Sequence, residues 1–185
     1  MTTDPERPRP IKSVALPAQR ASVPATTLLR GFFQLGYVTT DIDEAVDYFS
    51  VMTGVSRFLH FRGFRGVDAL GNEGVINMAL AKTGGHEIEL IQPLDRKFGF
   101  LSDPLPAQGF ALRFHHVGML VDSKQELEAT MLAAQRRGLR IPSYGSFQGL
   151  VHYLFVDTRA ELGHSLEYNY RNAAANAMFA GVPSN

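Results

Sequence analysis

Four polar residues stand on stretches that otherwise read as buried strands, and their types suit metal and acid–base chemistry. Gln34 lies in "FFQLGYVTT" and His116 in "FHHVGMLV", each two residues before a glycine. Glu89 lies in "EIELIQ" and Glu167 in "HSLEYNY". Side chains alternate across a strand, so Gln34 shares a face with Gly36, His116 with Gly118, and Glu167 with Ser165 and Asn169. One imidazole, two carboxylates and one amide oxygen make a hard-to-borderline donor set, and two carboxylates balance a divalent cation. A single strand histidine is more often a core residue, and a single strand glutamate more often a solvated one. The signal here is recurrence: the same two places occur in two copies. Glu87 shares the Glu89 face and competes for its role, while alternation puts His115 on the face opposite His116.

The elements that must position these residues repeat as well. Strands are expected over residues 33–38 and 114–121. A helix follows each, with capping-box spacing from Asp41 to Glu44 and from Ser123 to Glu126. Ile42, Ala45, Val46 and Phe49 form one apolar stripe; Leu127, Met131 and Ala134 form the other. Three short strands are expected after each helix, at 57–61, 75–81 and 86–92, then at 141–147, 151–157 and 165–170. The fold class is therefore α+β, built of two βαβββ modules over residues 31–93 and 112–171. Residues 94–111 read as an irregular linker. Residues 1–30, with Pro5, Pro8, Pro10, Pro17 and Pro24, read as a flexible arm, and 172–185 as a tail with a short helix.

Other residues suggest a pocket. Phe58, Phe61, Phe64, Phe98, Phe100 and Phe110 are candidates for an apolar wall. His152 and Tyr153 are adjacent on one strand, so one of them faces inward, and both are candidate substrate contacts. Composition narrows the partners. The 185 residues carry 18 Lys+Arg and 18 Asp+Glu, which argues against whole-surface attraction to nucleic acid or anionic membrane. There is no cysteine, hence no disulfide, thiolate ligand or thiol nucleophile, in keeping with a cytoplasmic protein.

The segments "QLGYVTTDIDEAVDYF", "HEIELIQPL", "HHVGMLVDSKQELEATMLAAQRRGL" and "DTRAELGHSLEY" resemble the vicinal oxygen chelate (glyoxalase/bleomycin resistance/dioxygenase) superfamily, over most of the chain. "ELIQPL" and the linker look most like its methylmalonyl-CoA epimerase-like branch, and the Gln, Glu, His, Glu order resembles its lactoylglutathione lyases. The resemblance implies an incomplete eight-stranded barrel and a homodimer. It implies a zinc, nickel, cobalt, manganese or magnesium ion on Gln34, Glu89, His116 and Glu167. It also implies enolisation of a small carbonyl or thioester substrate, with Glu167 as base once it loosens from the metal, and Glu89 either returning the proton from the other side or staying a ligand. Two other functions are weighed on the same scaffold. One is a non-catalytic protein that sequesters a small apolar ligand. The other is an extradiol ring-cleaving dioxygenase, which Gln34 disfavours because an iron facial triad needs a second imidazole.

Overall fold

The computed structural model describes residues 28–95 and 97–185, so most of the proline-bearing arm lies outside the described residues. The first module runs β1 (Phe32–Thr39), α1 (Ile42–Thr53), β2 (Leu59–Asp68), β3 (Glu73–Thr83) and β4 (His86–Pro93). A short helix, α2 (Gly99–Ser102), interrupts the linker. The second module runs β5 (Leu112–Leu120), α3 (Lys124–Arg136), β6 (Arg140–Phe147), β7 (Val151–Asp157), the single turn α4 (Arg159–Leu162) and β8 (Ser165–Arg171). Helix α5 (Ala173–Phe179) follows.

Local signals start and stop the long helices. The Asp41 carboxylate accepts from the backbone N–H groups of Asp43 and Glu44, both at 3.0 Å. Such a cap is worth about 1 kcal/mol. Gly54 ends α1 at φ 78°, a left-handed conformation that costs glycine little. The Ser123 hydroxyl caps α3 through Glu126 N–H at 3.1 Å. Helix α1 buries Ile42, Ala45 and Phe49 against β3 and β4, and α3 covers the outer face of β7 and β8. A third apolar cluster, including Phe64, Met78, Tyr153 and Phe155, fills the barrel interior.

The strand order is β1-β4-β3-β2-β6-β7-β8-β5, and the barrel closes. An incomplete barrel was the expectation, and the β2–β6 seam is where the structure differs. Gly66, Val67 and Asp68 pair with Phe147, Ser146 and Gly145. A Cβ on Gly145 would stand 2.2 Å from the Val67 carbonyl oxygen, so only glycine lets the two backbones meet.

The other seam joins β1 to β5 antiparallel, and here the two modules exchange side chains. Gln34 lies opposite Gly118, and His116 opposite Gly36. Each polar side chain lies over the partner strand's glycine. A Cβ on Gly36 would sit 1.9 Å from the His116 ring, and one on Gly118 would sit 2.7 Å from Gln34 Oε1. The register slips once on each side of this exchange. Phe33 is the extra residue on β1 and His115 the extra residue on β5, and each β-bulge breaks the strict alternation of faces. His115 is consequently buried beside His116, not turned to the opposite face.

Alanine at Gly36 or Gly118 is therefore expected to cost about 1–3 kcal/mol, the usual range for overpacking a filled interior. Urea unfolding midpoints of G36A and G118A against the parent check this, with Gly181→Ala, which like them has no positive φ and whose Cβ meets nothing nearer than 3.9 Å, marking the cost of the substitution without overpacking.

Candidate metal centre

The parallel pairs that flank the seam complete two rows across the barrel wall. Gln34 pairs with Glu87 and Gly36 with Glu89, while His116 pairs with Ser165 and Gly118 with Glu167. One row thus reads Glu87, Gln34, Gly118, Glu167. The next reads Glu89, Gly36, His116, Ser165. Relative exposures of Gln34, Glu89, His116 and Glu167 are 0%, 7%, 0% and 6%.

Glu89, His116 and Glu167 each point one ligand-type atom into a common space, all within 4.8 Å of one another. His116 Nε2 lies 3.2 Å from Glu89 Oε2 and 3.1 Å from Glu167 Oε2. Neither contact has hydrogen-bond angles, and Glu89 Oε2 and His116 Nε2 have no other polar partner. The atoms converge on shared space rather than on each other. Gln34 Oε1 is buried without a partner as well. Orphaned buried polar atoms carry a desolvation cost of about 1–3 kcal/mol each, which a cation would relieve. This donor set, one neutral nitrogen and anionic or carbonyl oxygens, fits a divalent metal ion.

The orientation of the Gln34 amide is set by its neighbours. Its Nε2 donates to Glu87 Oε1 at 2.7 Å, which turns Oε1 away as a free acceptor. Glu87 is itself held by Arg171, at 2.6 Å and 3.2 Å to its two oxygens. The Arg171 guanidinium lies between the rings of Phe33 and Phe179, 4.8 Å and 4.3 Å from their centroids. Glu87 thus belongs to a separate ion pair, and Glu89 to the ligand cluster. Asn169 donates to Glu167 Oε2 at 2.9 Å.

Electrostatics are strained in the absence of a cation. Burial, together with the nearby Glu167 charge, pushes the Glu89 carboxyl up from its ordinary value. Burial alone would lower His116, but the Glu167 and Glu89 carboxylates outweigh it and hold the imidazolium to about 9. His115 is pushed down to about 3, first by burial and then by the His116 charge.

Around Glu89 and Glu167 the walls are apolar, with Phe64, Phe147, Phe155, Leu101 of α2 and Phe179 of α5 among them. The free volume is ≈ 30 Å³, about one water's share of the liquid. The tail beyond α5 is pinned to the first module: Lys82 N–H donates to the Pro183 carbonyl at 2.8 Å, and Asn185 Oδ1 accepts from Ser56 and Arg57 N–H.

The remaining expected site residues fall elsewhere. Phe58 packs edge-on against Phe49 beneath α1, outside the barrel. His152 lies in an outer trough bordered by Lys124, Leu127 and Met131 of α3. Tyr153 faces inward among Phe147 and Phe155, with its hydroxyl 3.3 Å from Ser143 Oγ. Phe64 does line the cavity, whereas Phe110 is exposed and Phe100 stacks edge-on against His115. Arg171 and His115 were missed. The period-two run from Glu167 through Asn169 to Arg171 was a usable signal for the first; the doublet His115-His116 hid its bulge.

Residues 33–153 match the Glyoxalase/Bleomycin resistance protein/Dioxygenase superfamily, and the chain belongs to it. Among solved structures it is similar to methylmalonyl-CoA epimerase from Mycobacterium tuberculosis, with TM-score 0.55 and 19% identity over 83% of this chain and 95% of that one. A Streptomyces coelicolor methylmalonyl-CoA epimerase variant in complex with 2-nitronate-propionyl-CoA gives TM-score 0.52 and 15% identity, over 79% and 97%. A methylmalonyl-CoA epimerase in complex with methylmalonyl-CoA and NH4+ gives 0.52 and 16%, over 79% and 97%. No curated protein matches the sequence. No helix among the described residues is long and apolar enough to cross a membrane.

Two outcomes are expected. Because both His116 and Glu89 have raised values, the metal-free folded state holds protons that the unfolded chain gives up earlier. His116 stabilisation is complete below about 6.5, the unfolded value, and is lost as pH rises through about 9. Thermal midpoints in chelator should fall across that window. Separately, Arg171→Met strands the buried Glu87 carboxylate and should cost about 3–5 kcal/mol, most of it recovered when Glu87→Gln is added. Urea unfolding of the single and double variants measures this.

Proposed function

We propose that this chain is a divalent-metal-dependent isomerase or lyase that enolises a small carbonyl or thioester substrate. One observation carries the reading: Glu89, His116 and Glu167 turn ligand-type atoms into one buried space, where Glu89 Oε2 and His116 Nε2 have no hydrogen-bond partners, and Gln34 Oε1 is buried unpartnered as well. In this reading Gln34, Glu89, His116 and Glu167 hold a zinc, nickel, cobalt, manganese or magnesium ion. When bound, such an ion supplies Lewis-acid polarisation of a substrate oxygen, which acidifies the neighbouring C–H.

The chain's own residues do the rest. Glu167, whose Oε2 accepts from Asn169, would loosen from the ion as substrate enters and take the proton from the carbon next to the carbonyl. Glu89 sits on β4 and Glu167 on β8, the strands on either side of the β1–β5 pair. In this reading the two carboxyl groups act on opposite faces of one carbon: Glu167 takes one proton, and Glu89, entering the step as the carboxylic acid that burial favours, gives another with inversion. The aromatic walls keep water from competing for that proton. Methylmalonyl-CoA, present in one of the similar structures, is the first thioester to try.

A second reading is favoured by the small, apolar-walled cavity: a sequestering protein whose interior widens for a ligand, without chemistry. Metal separates the two. Elemental analysis of protein purified without chelator or metal-affinity tag should give close to one ion per chain, lost in Glu167→Ala. Glu167→Gln should lower solvent-deuterium exchange into a turned-over carbonyl substrate by about a hundred- to ten-thousand-fold. Absence of metal after incubation with each candidate ion sinks the enzymatic reading, and full exchange by Glu167→Gln removes the base assignment.

A further inference from the structure

His115 takes no part in the reaction above, yet it is built into the centre. The bulge in β5 buries it at 2% exposure, with its ring against Phe100, Phe155 and His116. Its Nδ1 lies 3.0 Å from His116 Nδ1, and its Nε2 lies 3.3 Å from the Phe100 carbonyl oxygen.

We infer that His115 is a positioning residue that locks His116 in the tautomer with Nδ1 protonated and the Nε2 lone pair free for a cation. The inference rests on the metal reading. A carbonyl oxygen can only accept, so the Phe100 contact requires the proton on His115 Nε2. No carboxylate is among the hydrogen-bond partners of His115, so nothing there holds a second proton on its ring. Its Nδ1 is then an acceptor, and the short Nδ1–Nδ1 contact is satisfied only by a proton on His116. With Nδ1 of His116 occupied, neutral His116 must present Nε2 as a lone pair, and Nε2 is the atom facing Glu89 and Glu167.

A ligand histidine commonly donates its other N–H to a carboxylate, carbonyl or water. Here a second, neutral imidazole takes that place and passes the constraint on to the interdomain linker, since Phe100 belongs to α2. Phe155 packs against both rings and fixes their mutual tilt, with centroids 5.6 Å and 5.3 Å away. The relay runs from a backbone carbonyl through two imidazoles to the cluster.

Two substitutions separate this role from plain packing. In Asn, Oδ1 takes the place of the imidazole Nδ1, so His115→Asn keeps the acceptor for His116. In Gln, the amide reaches toward the Nε2 place, so His115→Gln keeps the contact with Phe100 but loses that acceptor. Co²⁺ titration, read by its visible absorption, should show wild-type affinity for H115N and a loss of about 10- to 100-fold for H115Q. Independently, metal-free wild-type protein labelled with ¹⁵N-histidine and held above about pH 9, where His116 is neutral, should show scalar coupling between the two Nδ1 nuclei, with the shared proton directly bonded to His116. Equal Co²⁺ affinity in the two variants, or a proton bonded to His115 Nδ1, overturns the inference. A wild type that binds no Co²⁺ overturns the metal reading beneath it, and the NMR coupling tells that failure from failure of the tautomer lock.

Discussion

The β1–β5 seam brings two ligand-type side chains into a space that no ordinary antiparallel pair would leave open. Gln34 and His116 each occupy the volume above a glycine of the facing strand. Remove either glycine and the polar side chain must leave its place. Because the pairing is antiparallel and the modules repeat, the same device operates twice about one pseudo-twofold axis. The two parallel pairs, β1 with β4 and β5 with β8, then set Glu89 beside Gly36 and Glu167 beside Gly118. The site is a consequence of strand register before it is a consequence of any single residue.

Burying this much charge is tolerable only because each group has a compensating neighbour. Glu87 is neutralised by Arg171 and satisfied by the Gln34 amide. Glu89 and Glu167 have His116 between them, and their combined charge suits a divalent ion better than a proton. The aromatic rings around Arg171 and His115 exclude water, which strengthens every polar contact inside and penalises every unmade one. The barrel's closure serves the same end. Glycine at position 145 lets β6 meet β2, and α2 and α5 contribute the last apolar walls.

Duplication gives the modules one geometry, but their supporting residues have diverged. Glu87 faces Gln34 in the first module, whereas Ser165 takes the corresponding place beside His116 in the second. Each first-strand residue therefore has its own support. An ion pair turns the Gln34 amide, and a bulged histidine backs the His116 ring. An amide needs its NH2 drawn away to free its oxygen, and an imidazole needs one nitrogen protonated to free the other.

Much of this was legible in the sequence, for local reasons. Helix caps act within a few residues, so Asp41 and Ser123 could be read directly. Apolar periodicity has a fixed period, so α1 and α3 were visible. The recurrence of Gln34 and His116, and of Glu89 and Glu167, marked four buried positions, of which Glu89, His116 and Glu167 share one space, because a repeated module repeats its inward positions. Other features depended on a partner strand and could not be read locally. A β-bulge exists only relative to the strand opposite, so uninterrupted alternation misplaced His115 and concealed Phe33. Closure of the barrel depended on the close approach of Gly145 to Val67, a contact between residues far apart in the chain. Which side of the wall Phe58 and His152 occupy followed from sheet curvature and helix docking. Composition and pattern determined the modules and the chemical types at their inward positions; the tertiary register decided which of those atoms share one space, because only pairing converts sequence parity into direction.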